Sequence, residues 1–223
     1  MKERLGWSWL EIALVAVVTV ISGYFFVTAV RTTDWIFPFI ELVSAIAGIF
    51  SVVLCAKGKK SGFIFGLVNV VGYSITAFNA AYYGEVMLNI LFYVPSNIVS
   101  YFLWSKHQNG SKKEVKCRKL SWNQIGLGAV GVVGITALYA TGLSAIGGSV
   151  AGLDSLTTVL SIVATLLMAA RYSEQWLCWI IVDIVTVVMW VVAGSPIMIV
   201  MWGAYLINAF HGYKLWLDKS NQV

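Results

Sequence analysis

Charge is scarce in this sequence. Of 223 residues, 15 are Lys or Arg and 10 are Asp or Glu, 11% in all, while 59% are hydrophobic and the mean hydropathy is +0.83. A chain so poor in charge has too few solvated groups to cover a globular surface, which excludes a soluble domain and leaves an integral membrane protein. Cysteine is nearly as sparse. Cys55, Cys117 and Cys178 show no paired spacing, so neither a disulfide framework nor a metal site follows. His107 and His211 have no partner at metal-ligating or catalytic spacing. There is no Gly-x-Ser-x-Gly, no His-Glu-x-x-His and no phosphate-binding glycine loop, so neither an enzyme nor a cofactor is expected. Without a nucleotide-binding segment the chain would not drive transport by ATP hydrolysis itself.

What is present is long apolar runs. Taking about 20 apolar residues as one crossing, eight transmembrane helices are expected near residues 10–30, 36–56, 61–80, 85–104, 123–142, 154–170, 174–193 and 196–216. Turn residues separate them, among them Gly58, Asn109-Gly110, Gly147-Gly148 and Gly194-Ser195-Pro196. The first run is too long for a signal-peptide core and no Ala-x-Ala site follows it, so it is expected to remain as a helix.

A net charge of +5 and a pI near 9.1 do not point to nucleic acid, because the basic residues sit in short loops between apolar runs. They report topology instead. With the N-terminus inside, 14 of the 15 Lys and Arg fall on the cytoplasmic side and only Arg31 lies outside, so both termini are expected in the cytoplasm. The longest polar stretch, 105–121, reads as a basic cytoplasmic linker beside the lipid surface.

The chain also matches itself weakly at an offset of 111 to 114 residues. Glu41 aligns with Asp154 and Asn69 with Asp183; Tyr93, Tyr101 and Trp104 align with Tyr205, Tyr213 and Trp216; Asn97 aligns with Asn208. The reading is two parallel three-helix repeats joined by a linker helix, plus one extra N-terminal helix, in an all-α integral membrane protein. The expected divisions are 1–35 for the extra helix, 36–105 for the first repeat, 106–150 for the linker and its helix, and 151–223 for the second repeat.

The most informative stretch is QWLCWIIVDIV, residues 175–185. Trp176, Trp179 and Asp183 stand at i, i+3 and i+7 and so share one helical face. A carboxylate midway through an apolar helix costs about 2.5–3.5 kcal/mol even on the lenient insertion scale. It therefore reads as a functional residue, with a structural hydrogen bond to a neighbouring helix as the alternative. Asn69 and Tyr73 lie on the third predicted helix, Asn89, Tyr93 and Asn97 on the fourth around a bend at Pro95, and Tyr205 and Asn208 on the last. Any single buried Asn commonly glues helices together. Several amides, one acid and aromatics at matching depths read better as lining a polar cavity. Tryptophan faces attract cations and a carboxylate reinforces that attraction, so a flat cationic ring with polar substituents is the ligand such a cavity would take. The pair Gly62 and Gly66 reads as a close helix contact.

The runs QWLCWIIVDIV, YYGEVMLNILFYVPSN (82–97) and YLINAFHGYKLW (205–216) resemble the PnuC family of bacterial vitamin transporters, from about Glu41 onward. The resemblance implies a SWEET-like layout of three, one and three helices and facilitated diffusion of nicotinamide riboside across the inner membrane. The site would be exposed alternately to either side, and a cytoplasmic kinase would trap the product. It further implies that Trp179 and Asp183 occupy the positions that contact the nicotinamide part, where the family carries Asn in place of Asp183. Asn69, Tyr93, Asn97 and Asn208 would help line the site. Thiamine or riboflavin as cargo, and proton-coupled transport through Asp183, stay open, as does association into a homo-oligomer.

Overall fold

The computed structural model describes residues 6–31, 34–79, 83–109, 114–145, 151–193 and 196–220. The helices are α1 (Trp9–Ala29), α2 (Ile36–Ala56), α3 (Ser61–Asn79), α4 (Tyr83–Leu88), α5 (Val94–Ser105), α6 (Trp122–Ala145), α7 (Ala151–Ala169), α8 (Gln175–Ala193) and α9 (Pro196–Ser220). They lie over the apolar runs because a backbone in hydrocarbon must satisfy its amides with its own carbonyls. Among the described residues, Trp9–Ala29, Ile36–Ala56, Val86–Ser105 and Trp122–Gly142 are long and apolar enough to cross a membrane, and Ser61–Thr76, Ser155–Ala169 and Gln175–Val188 are shorter apolar helices. The turns expected at Gly110, Gly147-Gly148 and Gly194-Ser195, and the side chain of Asp154, lie outside the described residues.

Two local departures from a purely α-helical reading have physical causes. Between α4 and α5 the helix widens into a π-helical turn, Asn89–Tyr93, closed by the Val94 amide on the Asn89 carbonyl. Pro95 follows immediately, and because it has no N–H to offer the preceding turn, the ladder shifts by a residue there. The expected bend is thus built as a π-turn. The linker, in turn, carries a two-stranded antiparallel pair, Gln108–Asn109 with Glu114–Val115, so the chain is not wholly α.

Two compact units divide the chain, residues 1–115 and 116–223. In the first, α1 packs on α2, α2 on α3, and α3 on α5. A buried ion pair holds α1: the Lys57 ammonium lies 2.7 Å from the Glu11 carboxylate. Ser8 and Glu11 cap the helix reciprocally, and the Lys57 ammonium sits 5.2 Å from the Trp7 ring centroid. Gly62 lets α3 approach α2 so closely that a Cβ there would stand 2.9 Å from the Ser51 carbonyl, which is the close contact its spacing with Gly66 predicts.

Helix α2 in the first unit and α7 in the second end in the same way. After α2, Gly58 adopts φ 75°, with its amide donating to Cys55 and the Lys59 amide donating to Leu54. After α7, Arg171 adopts φ 66°, with its amide donating to Met168 and the Tyr172 amide donating to Leu167. Both are left-handed helix stops of the Schellman type, 113 residues apart. The exposed turn carbonyl is then taken up by the linker: Val115 donates to Gly58 in the first unit and Arg118 donates to Arg171 in the second. Arginine tolerates the left-handed conformation poorly, and the second turn is held more firmly. The Ser173 amide and hydroxyl both donate to the Arg118 carbonyl, and the Arg118 guanidinium lies 4.4 Å from the Tyr172 ring centroid. Partial burial and the charge of Arg118 hold the Arg171 guanidinium below its ordinary value.

Removing one partner of a buried ion pair typically costs about 3–5 kcal/mol. Glu11→Ala is therefore expected to lower the thermal midpoint of the detergent-solubilised protein by several degrees, and the apolar double replacement Glu11→Leu/Lys57→Met to recover most of that loss. Equal losses in the two variants would show that the unpaired charge is not the cause.

Candidate binding site

Helix α8 has two faces. Leu177, Ile181, Ile184 and Val188, spaced by four, three and four residues, are exposed, whereas Trp176, Ile180 and Asp183 are buried. An apolar stripe turned to lipid costs nothing, so the helix is free to turn its polar groups inward. Asp183 is only 3% exposed. Among the described residues no hydrogen bond or ion pair reaches its carboxylate. The Tyr205 phenol of α9 lies within electrostatic reach of it. Thr186, one turn on, turns its hydroxyl back to the Val182 carbonyl and offers nothing to the acid. Trp179, one turn before Asp183, is half-buried.

Helix α9 repeats the pattern. Ala204, Asn208, Ala209 and Trp216 are buried while Ile207 and Phe210 are exposed. Tyr205 packs edge-on against Trp202 at 5.6 Å, and Asn208 is 1% exposed. Trp176 shares a heptad face with Asp183, yet its ring is occupied with α9. A Cβ on Gly212 would stand 2.8 Å from the Trp176 ring, and Trp216 meets that ring edge-on at 6.2 Å. The first unit has a matching pair 113 and 112 residues earlier, Phe63 edge-on to Trp104 at 4.7 Å. Trp176 therefore packs α8 against α9.

In the first unit the polar side chains are largely engaged within the protein. The Asn69 amide donates to the Ser44 carbonyl at 3.0 Å and to its hydroxyl at 3.3 Å, and the Ser44 hydroxyl donates back to the Asn69 carbonyl at 2.9 Å. Asn69 thus joins α3 to α2. The Asn97 amide donates to the Tyr93 carbonyl at 2.8 Å, and Gly66 leaves the space its carbonyl oxygen fills. Asn89 is buried in the π-turn, and Tyr73 and Tyr93 are half-buried. Among the expected site residues, the second unit places the Tyr205 phenol within electrostatic reach of Asp183, whereas in the first unit Asn69 joins α3 to α2 and Asn97 turns back onto the preceding turn of its own helix. Gln175, which stands four residues before Trp179 and eight before Asp183, is fully buried, and neither polar atom of its side chain has a partner among the described residues.

No group of three or more His, Cys, Asp or Glu able to hold a metal ion occurs among the described residues.

Residues 38–218 match the family described as "Nicotinamide mononucleotide transporter". The chain is 35% identical to the nicotinamide riboside transporter PnuC of Haemophilus influenzae over 216 residues, covering 95% of this chain and 91% of that one. It is 40% identical to PnuC of Neisseria mucosa over 185 residues, covering 78% and 70%. The PnuC of Escherichia coli is 27% identical over 208 residues, covering 82% and 87%. A crystal structure of a vitamin B3 transporter PnuC superposes with a TM-score of 0.81 at 34% identity, covering 97% of this chain and 94% of that one.

Overpacking a tight contact typically costs about 1–3 kcal/mol. Gly212→Ala is expected to displace the Trp176 ring, lowering the thermal midpoint and shifting tryptophan fluorescence, whereas Gly134→Ala on α6, where a Cβ meets nothing within 4 Å, should change neither.

Proposed function

We propose that this chain, which belongs to the nicotinamide mononucleotide transporter family, carries nicotinamide riboside across the bacterial inner membrane by facilitated diffusion. The observation that carries this reading is Asp183, a buried carboxylate in an apolar helix with no counter-ion among the described residues. A ligand with a fixed positive charge supplies the missing cation, and the pyridinium ring of the riboside has one. Trp179, half-buried one turn away, offers the aromatic face on which such a ring gains about 2 kcal/mol or more when desolvated. The same acid argues against the mononucleotide, whose phosphate would bring a second anion to a site where none of the expected residues is Lys or Arg. Tyr205 and Asn208 of the same unit supply hydroxyl and amide groups suited to the ribose.

Eight crossings with both termini cytoplasmic, built as two three-helix repeats around a linker helix, form the framework of this reading. Support comes from the left-handed stops at Gly58 and Arg171 and from the aromatic pairs Phe63–Trp104 and Trp176–Trp216, each recurring at an offset of 112 or 113. In the proposed cycle the repeats rock to expose the site to each side in turn, and phosphorylation in the cytoplasm keeps the product inside.

Proteoliposomes containing the purified protein are expected to equilibrate nicotinamide riboside without ATP and without a pH gradient. Absence of both binding and uptake would refute the substrate. Uptake that collapses with the pH gradient would make Asp183 a proton carrier instead. Asp183→Asn should weaken the riboside by about tenfold, equivalent to about 1.4 kcal/mol, while leaving the reduced, uncharged riboside nearly unaffected. Trp179→Ala should weaken both.

A further inference from the structure

Gln175 begins α8, 0% exposed, with both its amide nitrogen and its amide oxygen lacking any hydrogen-bond partner among the described residues. A primary amide carries two donor hydrogens and an acceptor oxygen, and leaving all of them dry is a large desolvation cost without a return. Native proteins keep such groups where something else arrives to pair with them. Spacing says what that is. Gln175, Trp179 and Asp183 stand at i, i+4 and i+8, so the amide, the aromatic face and the acid follow one another along a single stripe of α8.

We infer that Gln175 is a specificity-determining residue that reads the carboxamide of the nicotinamide ring. The inference rests on the proposed substrate. A carboxamide presents a carbonyl acceptor and an N–H donor side by side, and a glutamine amide presents the complementary donor and acceptor, so the two close a pair of parallel hydrogen bonds. Asp183 does not make that pair: set against the cationic ring it is a carboxylate with acceptor oxygens only, which leaves the ligand's carbonyl without a donor. The stripe thus divides the work: Asp183 answers the ring charge, Trp179 its face, and Gln175 its substituent. A site built around a hydrogen-bonded amide rejects ligands that lack the matching group far more strongly than an apolar pocket rejects a change of size.

Isothermal titration of the full-length protein in detergent tests this with two ligands that share the charged ring and the ribose: nicotinamide riboside and the unsubstituted pyridinium riboside, which has no carboxamide. The wild-type protein should prefer the former at least tenfold. Gln175→Met, of similar length and volume but without the amide, should erase that preference by weakening nicotinamide riboside alone. Gln175→Leu serves as the second variant and should act in the same direction, with folding of both checked by thermal unfolding. Equal weakening of the two ligands, or no weakening of either, overturns the assignment. Failure of the wild-type protein to bind nicotinamide riboside at all overturns the proposed substrate, and this assignment with it, a result distinct from wild-type binding that the Gln175 variants leave intact.

Discussion

The absence of water inside a bilayer governs this molecule: a polar group there must find a partner in the protein or in a ligand. The chain meets that demand first with helical backbone and then with short side chains turned back on their own helices. Ser74 donates to Val70, Thr165 to Ser161 and Thr186 to Val182, each four residues earlier. Ser44 and Asn69 satisfy one another across two helices, and Glu11 neutralises Lys57. Beside these pairings, the stripe of α8 from Gln175 to Asp183 holds a buried amide and a buried acid without a hydrogen-bond partner among the described residues. Buried polar groups without partners are costly to hold, and the proposed substrate, a charged, hydroxylated, amide-bearing vitamin, is the partner we assign to them.

The same demand shapes the turns. A helix that ends leaves carbonyls without partners, and α2 and α7 both resolve this with a left-handed residue, Gly58 or Arg171, whose own carbonyl is taken by a linker amide. Glycine fits that conformation without strain. Arginine does not, and the additional hydrogen bonds from Ser173 and the stacking on Tyr172 hold it. The linker that reads in the sequence as an orientation signal therefore also closes the turns.

Much of the fold was legible because its cause is local. Apolar length dictates where helices lie, and the stretches expected at 36–56 and 61–80 are realised as Ile36–Ala56 and Ser61–Asn79. The site was legible in part. Asp183 stands out in any window of its neighbours, and the heptad spacing correctly turned it inward with Trp176. Spacing could not separate their roles, because a heptad face is wide enough to include both a ring packed on Gly212 and an acid near Tyr205. Asn69 and Asn97 illustrate the same limit: an amide on the inner face of a helix reads alike whether it meets a ligand or a neighbouring carbonyl.

What the sequence by itself determined, then, is membrane residence, the placement of the apolar helices and the presence of a carboxylate without an adjacent cation. These follow from composition and period, which act over a few turns of chain. Only the tertiary structure decided that Lys57 meets Glu11 46 residues away, that Trp176 packs on α9, and that Gln175 is left dry. Those outcomes depend on which helices lie side by side and at what rotation, and a polar atom's partner across that interface is invisible until both helices are in place.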